Sequence, residues 1–249
     1  VLIAIILVYI IFGIFTIKDM DIPYTLSGLL GIYLLTCAYA AIGLFMSSLT
    51  SYQVVAAMCT LGVLALLNFV GQIGQDIPFL RDITYWLSIR GRSDELIGGL
   101  ICSEDVLYFL IVITLFLMLS ILKLKGERKK TVRKIAVSRY VGVILIAIFL
   151  GYLSSIPALM TFYDATITKQ RTLTPNSQEV MKQLKGGLSV TTYVNLLEPN
   201  YEAGLPKNMN RDKRLFRQYI RFKPEMEMKY VYYYDKTKNE SLDQRYPTL

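Results

Sequence analysis

The sequence predicts an α-helical membrane bundle followed by an α/β extracytoplasmic domain, and three observations predict it. Of the 249 residues 53% are hydrophobic and only 18% charged, where a soluble domain carries about 25% charged residues. The apolar excess is concentrated between Val1 and Met160, in runs long enough to cross a bilayer core of roughly 30 Å, whereas Thr161 to Leu249 has the composition of an ordinary polar segment. The densest basic run, Lys123 to Lys134, abuts a hydrophobic segment, the position at which positive charge fixes membrane orientation.

Five segments qualify as spans. Val1 to Ile17 is almost entirely Ile, Leu, Val and Phe, and it lacks the basic start and small-residue cleavage site of a signal peptide. Leu26 to Met46 carries the small residues Gly28, Gly31, Ala38, Ala40, Ala41 and Gly43; their spacing predicts a packed bundle without specifying a dimer. Val54 to Ile73, Val106 to Leu122 and Tyr140 to Met160 complete the set. Each Leu, Ile, Val or Phe near a span centre favours insertion by about 0.3–0.6 kcal/mol, with almost no charge to offset it. Asn68 and Gln72 are polar residues inside a span. Such a residue is a functional candidate, and an interhelical hydrogen bond or an interfacial position is the simpler account.

Lys123 to Lys134 holds seven basic residues and one acid between spans four and five, which makes that loop cytoplasmic. Counting spans back and forward from it, Ser47 to Ser51 is also cytoplasmic. Lys18 to Pro23, Gln75 to Asp105 and Thr161 to Leu249 then lie outside.

Within the long outer connection, Ile77 to Ile89 mixes Phe79, Leu80, Ile83, Tyr85 and Trp86 with polar residues, as suits a helix at the membrane interface. Leu96 to Ile101 predicts a short re-entrant turn. Ser103, Glu104 and Asp105 provide an N-cap and an acidic first turn for span four; a cation site is the weaker alternative for these carboxylates.

After a polar neck from Asp164 to Thr172, Thr174-Pro175 reads as a helix start, and Gly186-Gly187 as its stop. Leu188, Val190, Thr192 and Val194 alternate as in a strand. Asn210 to Phe222 predicts one amphipathic helix, with Leu215, Phe216, Tyr219 and Ile220 against Arg211, Lys213, Arg214, Arg217 and Arg221, ended by Pro224. Met226, Met228, Tyr230, Tyr232 and Tyr234 then share the face of a second strand. Strand, helix, strand implies a parallel pair. The basic helix face is read as solvated, with an anionic ligand as the weaker alternative.

The chemistry is narrow. The net charge of +8 comes with no nucleic-acid motif, so no nucleic-acid partner is expected. Cys37, Cys59 and Cys102 have no metal-type spacing and form no CxxC pair, and there is no histidine. No nucleophile–base pair or phosphate loop is present, and nothing places Asp235 and Glu240 together. We therefore expect no catalytic residue, no cofactor and no metal. The chain opens in an apolar run without Met and reads as an internal piece of a longer protein.

The stretch Ala38 to Ser51, followed by Gln53 to Ala56, resembles the type-2 permease of ABC transporters of the gliding-motility class. Gly98 to Ile101 followed by Asp105 to Phe109 is similar to that family's last outer loop and last permease helix. Arg171 to Ser177, Leu188 to Asn195 and Tyr230 to Asp235 resemble the auxiliary component of the same system. The resemblance implies residues 1–124 as the C-terminal part of a permease, about four spans of it, and 125–138 as a basic cytoplasmic linker. It further implies 139–161 as the auxiliary component's anchor and 162–249 as its incomplete α/β domain. It implies a multi-pass protein of the bacterial inner membrane serving export or gliding motility, not itself an enzyme. Walker and signature motifs are not in the chain, so a cytoplasmic ABC ATPase would be a separate subunit. A second permease copy and membrane lipid are the other implied partners. The alternative is a non-transporting scaffold or sensor whose outer domain binds a partner protein or envelope ligand.

Overall fold

The computed structural model describes residues 2–128, 133–156 and 159–236. The middle of the basic run (129–132), residues 157–158 of the fifth expected span, and Glu240 lie outside the described residues. The elements in chain order are α1 (Leu2–Thr16), α2 (Ile22–Leu49), α3 (Gln53–Phe69), α4 (Pro78–Leu87), α5 (Ile89–Ile97), β1 (Leu100–Cys102) and α6 (Ser103–Arg128). They continue with α7 (Arg133–Ser154), β2 (Phe162–Asp164), α8 (Pro175–Gln183), β3 (Ser189–Asn195), α9 (Met209–Leu215), α10 (Arg217–Ile220) and β4 (Glu227–Tyr233).

Among the described residues four helices are long and apolar enough to cross a membrane: Ile22–Leu49, Gln53–Gln72, Ser103–Gly126 and Lys134–Ser154. The first expected span is shorter. α1 has 15 residues, about 22 Å at 1.5 Å per residue, less than the hydrocarbon core. Charged residues do not end the others where hydropathy alone would. α6 runs on through Lys125 and Arg128, because Lys, Glu and Arg are good helix formers and cations favour a helix C-terminus. α7 likewise begins at Arg133, well before Tyr140, Arg and Lys being good helix formers. α2 starts at Ile22, with the Asp21 carboxylate accepting from the Tyr24 amide and Pro23 in the first turn.

Cα packing divides the chain into two units. One comprises residues up to Asn68 and Ile89–Thr172; the other comprises Phe69–Ser88 and the chain from Leu173 onward.

In the first unit α2 packs along α6 and α5, and α6 along α7. Ala38, Ala41 and Ile42 of α2 are buried, and Phe45 meets Phe116 of α6 at 5.8 Å between ring centres. The small residues of α2 bring a non-spanning helix close: a Cβ on Gly31 would lie 3.0 Å from the Leu96 Cβ of α5. The predicted re-entrant turn at Leu96–Ile101 is instead a helix end followed by a strand. Gly99 makes that corner at φ +91°, where a Cβ would fall 2.7 Å from the Tyr24 ring, so only glycine fits. β1 then pairs antiparallel with β2, setting Leu100 opposite Asp164, Ile101 opposite Tyr163 and Cys102 opposite Phe162.

In the second unit β3 and β4 pair in parallel. Val190, Thr192 and Val194 lie opposite Met228, Tyr230 and Tyr232, so the two faces read from alternation coincide. Thr174 caps α8, accepting from the Ser177 amide, with Pro175 in the first turn. The helix expected over Asn210–Phe222 is broken into α9 and α10 at Phe216. Its predicted apolar face is incompletely buried, since Leu215 is 66% exposed, whereas polar Asn210 is 5% exposed.

Candidate functional site

No residue was expected to form a site, and the structure assembles polar groups in two places, one in each unit.

In the first unit a cation is held in the core. The Nη1 of Arg92, in α5, lies 2.9 Å from Oε1 of Glu104 and 3.0 Å from Oδ1 of Asp105, both in the first turn of α6. Asp105 is completely buried, and the side chains of Arg92 and Glu104 are only 5% and 13% exposed. The guanidinium also stacks on the Tyr108 ring, 4.5 Å from its centre. Burying a charge costs several kcal/mol unless it is paired, and here one arginine serves two carboxylates and an aromatic face. The two acids do occupy the first turn, as expected, but their cation is internal. Ser103, expected as their N-cap, uses its hydroxyl to accept from the Thr161 amide. The cluster cross-links α5 to α6, and Ser27 adds a third element by donating to the Leu96 carbonyl at 2.7 Å.

Beside it, three connections converge. Asp21 caps α2 with Oδ1 and accepts from the Ile167 amide with Oδ2 at 3.0 Å. Asp164, 5% exposed at the end of β2, accepts from the amide and hydroxyl of Thr166 and from the Arg171 amide. The ladder continues beyond the strands, Ser103 donating to the Thr161 carbonyl and Ala165 to that of Gly99. The start of α2, the start of α6 and the segment after α7 therefore meet at one end of the bundle. These are the connections that counting spans places on a common side. Residues 164–172, read as a polar neck, form a turn folded around one buried carboxylate.

In the second unit the 69–88 segment is built into the α/β fold. The carbonyl of Gly71 accepts from the side-chain amides of both Gln75 (2.6 Å) and Asn210 (2.7 Å), and Gln75 Oε1 accepts from the Asn210 backbone at 3.1 Å. Gln75 is 3% exposed. Lys213 pairs with Asp82 at 2.9 Å and lies 5.0 Å over the Tyr85 ring. On β4, the Tyr230 hydroxyl donates to Asp212 at 3.0 Å and that of Tyr232 to the Gly204 carbonyl at 3.1 Å. Burial pushes the Tyr230 hydroxyl well above the usual phenol range, and the Asp212 carboxylate adds to the shift. Burial, with Asp76 contributing, raises Tyr232 as well.

Of the polar residues singled out from the sequence, Asn68 makes the interhelical bond: its Nδ2 donates to Tyr39 Oη of α2 at 2.9 Å and to the Leu64 carbonyl. Gln72 is exposed. Cys102 is buried in β1, and Cys59 is exposed on its helix. Lys213, read as part of a solvated face, instead has the Asp82 and Tyr85 partners. Arg92, Asp164 and Asn210 were not foreseen. An arginine thirteen residues before an aspartate gives no periodic signal, and the fold alone brings the two together. Among the described residues no group of three or more metal-ligating side chains is placed to hold an ion. Comparison of the chain with protein-family models, curated proteins and solved structures finds no match.

Proposed function

We propose that the chain is the membrane-spanning permease and auxiliary part of an ATP-driven export or gliding-motility-like system, powered by a separate ATPase subunit. In this reading the protein is a multi-pass component of the bacterial inner membrane, and the unit from Leu173 onward lies outside the cytoplasm.

The observation that carries the reading is the position of α2. This helix bears most of the stretch that resembles a type-2 permease, and it is the one that packs along both α6 and α5, with Ser27, Gly31, Leu34, Ala38, Ala41 and Ile42 buried. A helix that α5, α6 and the Asp21 junction all touch is suited to pass a displacement to the connections at its N-terminal end. Purification of the protein with its native neighbours in mild detergent should recover a nucleotide-binding subunit whose ATPase rate depends on this chain. Recovery with no nucleotide-binding partner overturns the proposal.

The seam between residues 69–88 and α9 favours a second reading, a non-transporting scaffold or sensor that reports on a ligand of the α/β unit. ATP-dependent substrate accumulation in inverted vesicles separates the two: transport supports the first, and its absence with an intact complex supports the second.

A further inference from the structure

α6 and α7 form a hairpin, and their facing sides leave an apolar crevice of about 250 Å³. Leu107 and Met118 of α6 and Val143 and Leu150 of α7 mark its extent, and Thr114 is the one polar side chain in its walls. Leu107 to Met118 covers eleven residues, about 16 Å along the axis, or roughly half a bilayer core. The same helical stripes lead to cations near the C-terminal end of α6 and the N-terminal end of α7. Arg139 precedes Val143 by four residues and so lies on the same face of α7, one turn further along. Lys125 follows Met118 by seven residues, two turns or about 10 Å further along α6. Both Arg139 and Lys125 are exposed.

An apolar slot within two spans that runs toward two exposed cations has the chemistry of a lipid with a negative headgroup. We propose that the α6–α7 hairpin binds one anionic glycerophospholipid, an acyl chain in the crevice and the phosphate at Lys125 and Arg139. The proposal needs only that α6 and α7 cross a bilayer, and it stands or falls independently of the transport reading.

The test is native mass spectrometry of the detergent-purified chain exposed to equal amounts of phosphatidylglycerol and phosphatidylcholine. One phosphatidylglycerol is retained per chain, in preference to phosphatidylcholine. The double variant K125Q/R139Q, which changes only exposed side chains, loses that preference by about 30-fold, the factor expected for two cations near a charged headgroup. Met118→Trp, which fills the crevice, abolishes retention of either lipid at unchanged helix content. Equal retention of both lipids by the wild type, or undiminished preference in the double variant, overturns the proposal. So does a dimer that carries no lipid and dissociates on Met118→Trp, since a second copy would then occupy the crevice.

Discussion

At the scale of single residues, Arg92 has the largest energetic leverage. Removing its guanidinium leaves Asp105 fully buried and Glu104 nearly so, with neither compensated by that cation. Breaking a buried pair from one side costs about 3–5 kcal/mol. Arg92→Met should therefore lower the thermal midpoint in detergent sharply, and pairing it with Asp105→Asn should recover part of the loss. An unchanged midpoint in Arg92→Met would mean that the cluster is not formed. Tyr230 makes a prediction about pH. Its hydroxyl is held protonated in the folded state by burial and by Asp212, while in the unfolded chain it ionises near pH 10. Above about pH 10 the unfolded state thus binds fewer protons than the folded one, so stability falls as pH rises and is full below that point. Tyr232 acts in the same direction. Tyr230→Phe should reduce the alkaline slope of unfolding by about one proton; a slope equal to that of the wild type would contradict the assignment.

At the scale of elements, the 69–88 segment is held by amide hydrogen bonds more than by charge. The Lys213–Asp82 pair has side chains 38% and 63% exposed, and exposed pairs contribute about 0–1 kcal/mol. Asn210 is buried and makes two bonds to the segment, one from its backbone amide to Gln75 and one from its side chain to the Gly71 carbonyl; losing the side-chain bond costs about 0.5–1.5 kcal/mol. Asn210→Leu should speed tryptic cleavage at Arg81 by about several-fold, while Lys213→Ala stays near the wild-type rate; the reverse order would place the anchor at the ion pair. This contrast also marks what was legible in the sequence. Long apolar runs, the Thr174-Pro175 helix start and the alternation of β3 and β4 were readable because each is a local, periodic signal. The break at Phe216 was not, because the Leu215–Ile220 pattern is helical throughout and the buried anchor is Asn210, a polar residue outside that pattern. Nor was β1, whose three residues acquire a strand conformation only by pairing with β2, sixty residues later. The polar clusters were hidden for the same reason: Arg92, Asp164 and Asn210 owe their roles to partners that tertiary structure supplies.

At the scale of the whole molecule, the central claim is that the segment after the last long helix is woven back into the bundle, and does not hang from it as a free tail. β2 pairs with β1, Asp164 organises the turn that follows, and Asp21 fastens that turn to the start of α2. Bonded positions at Ser103–Thr161 and Gly99–Ala165 flank the ladder, so alternation makes Cys102–Phe162 a non-hydrogen-bonded pair, with Cα atoms about 4.5 Å apart. That spacing suits a disulfide. Phe162→Cys supplies a partner for the native Cys102, and mild oxidation followed by trypsin at the basic run tests the pairing most directly. The account predicts that the fragments on either side of the cut stay joined through Cys102 until a reductant is added. Fragments that separate without reductant, or a bond formed to Cys37 or Cys59 instead, would contradict it.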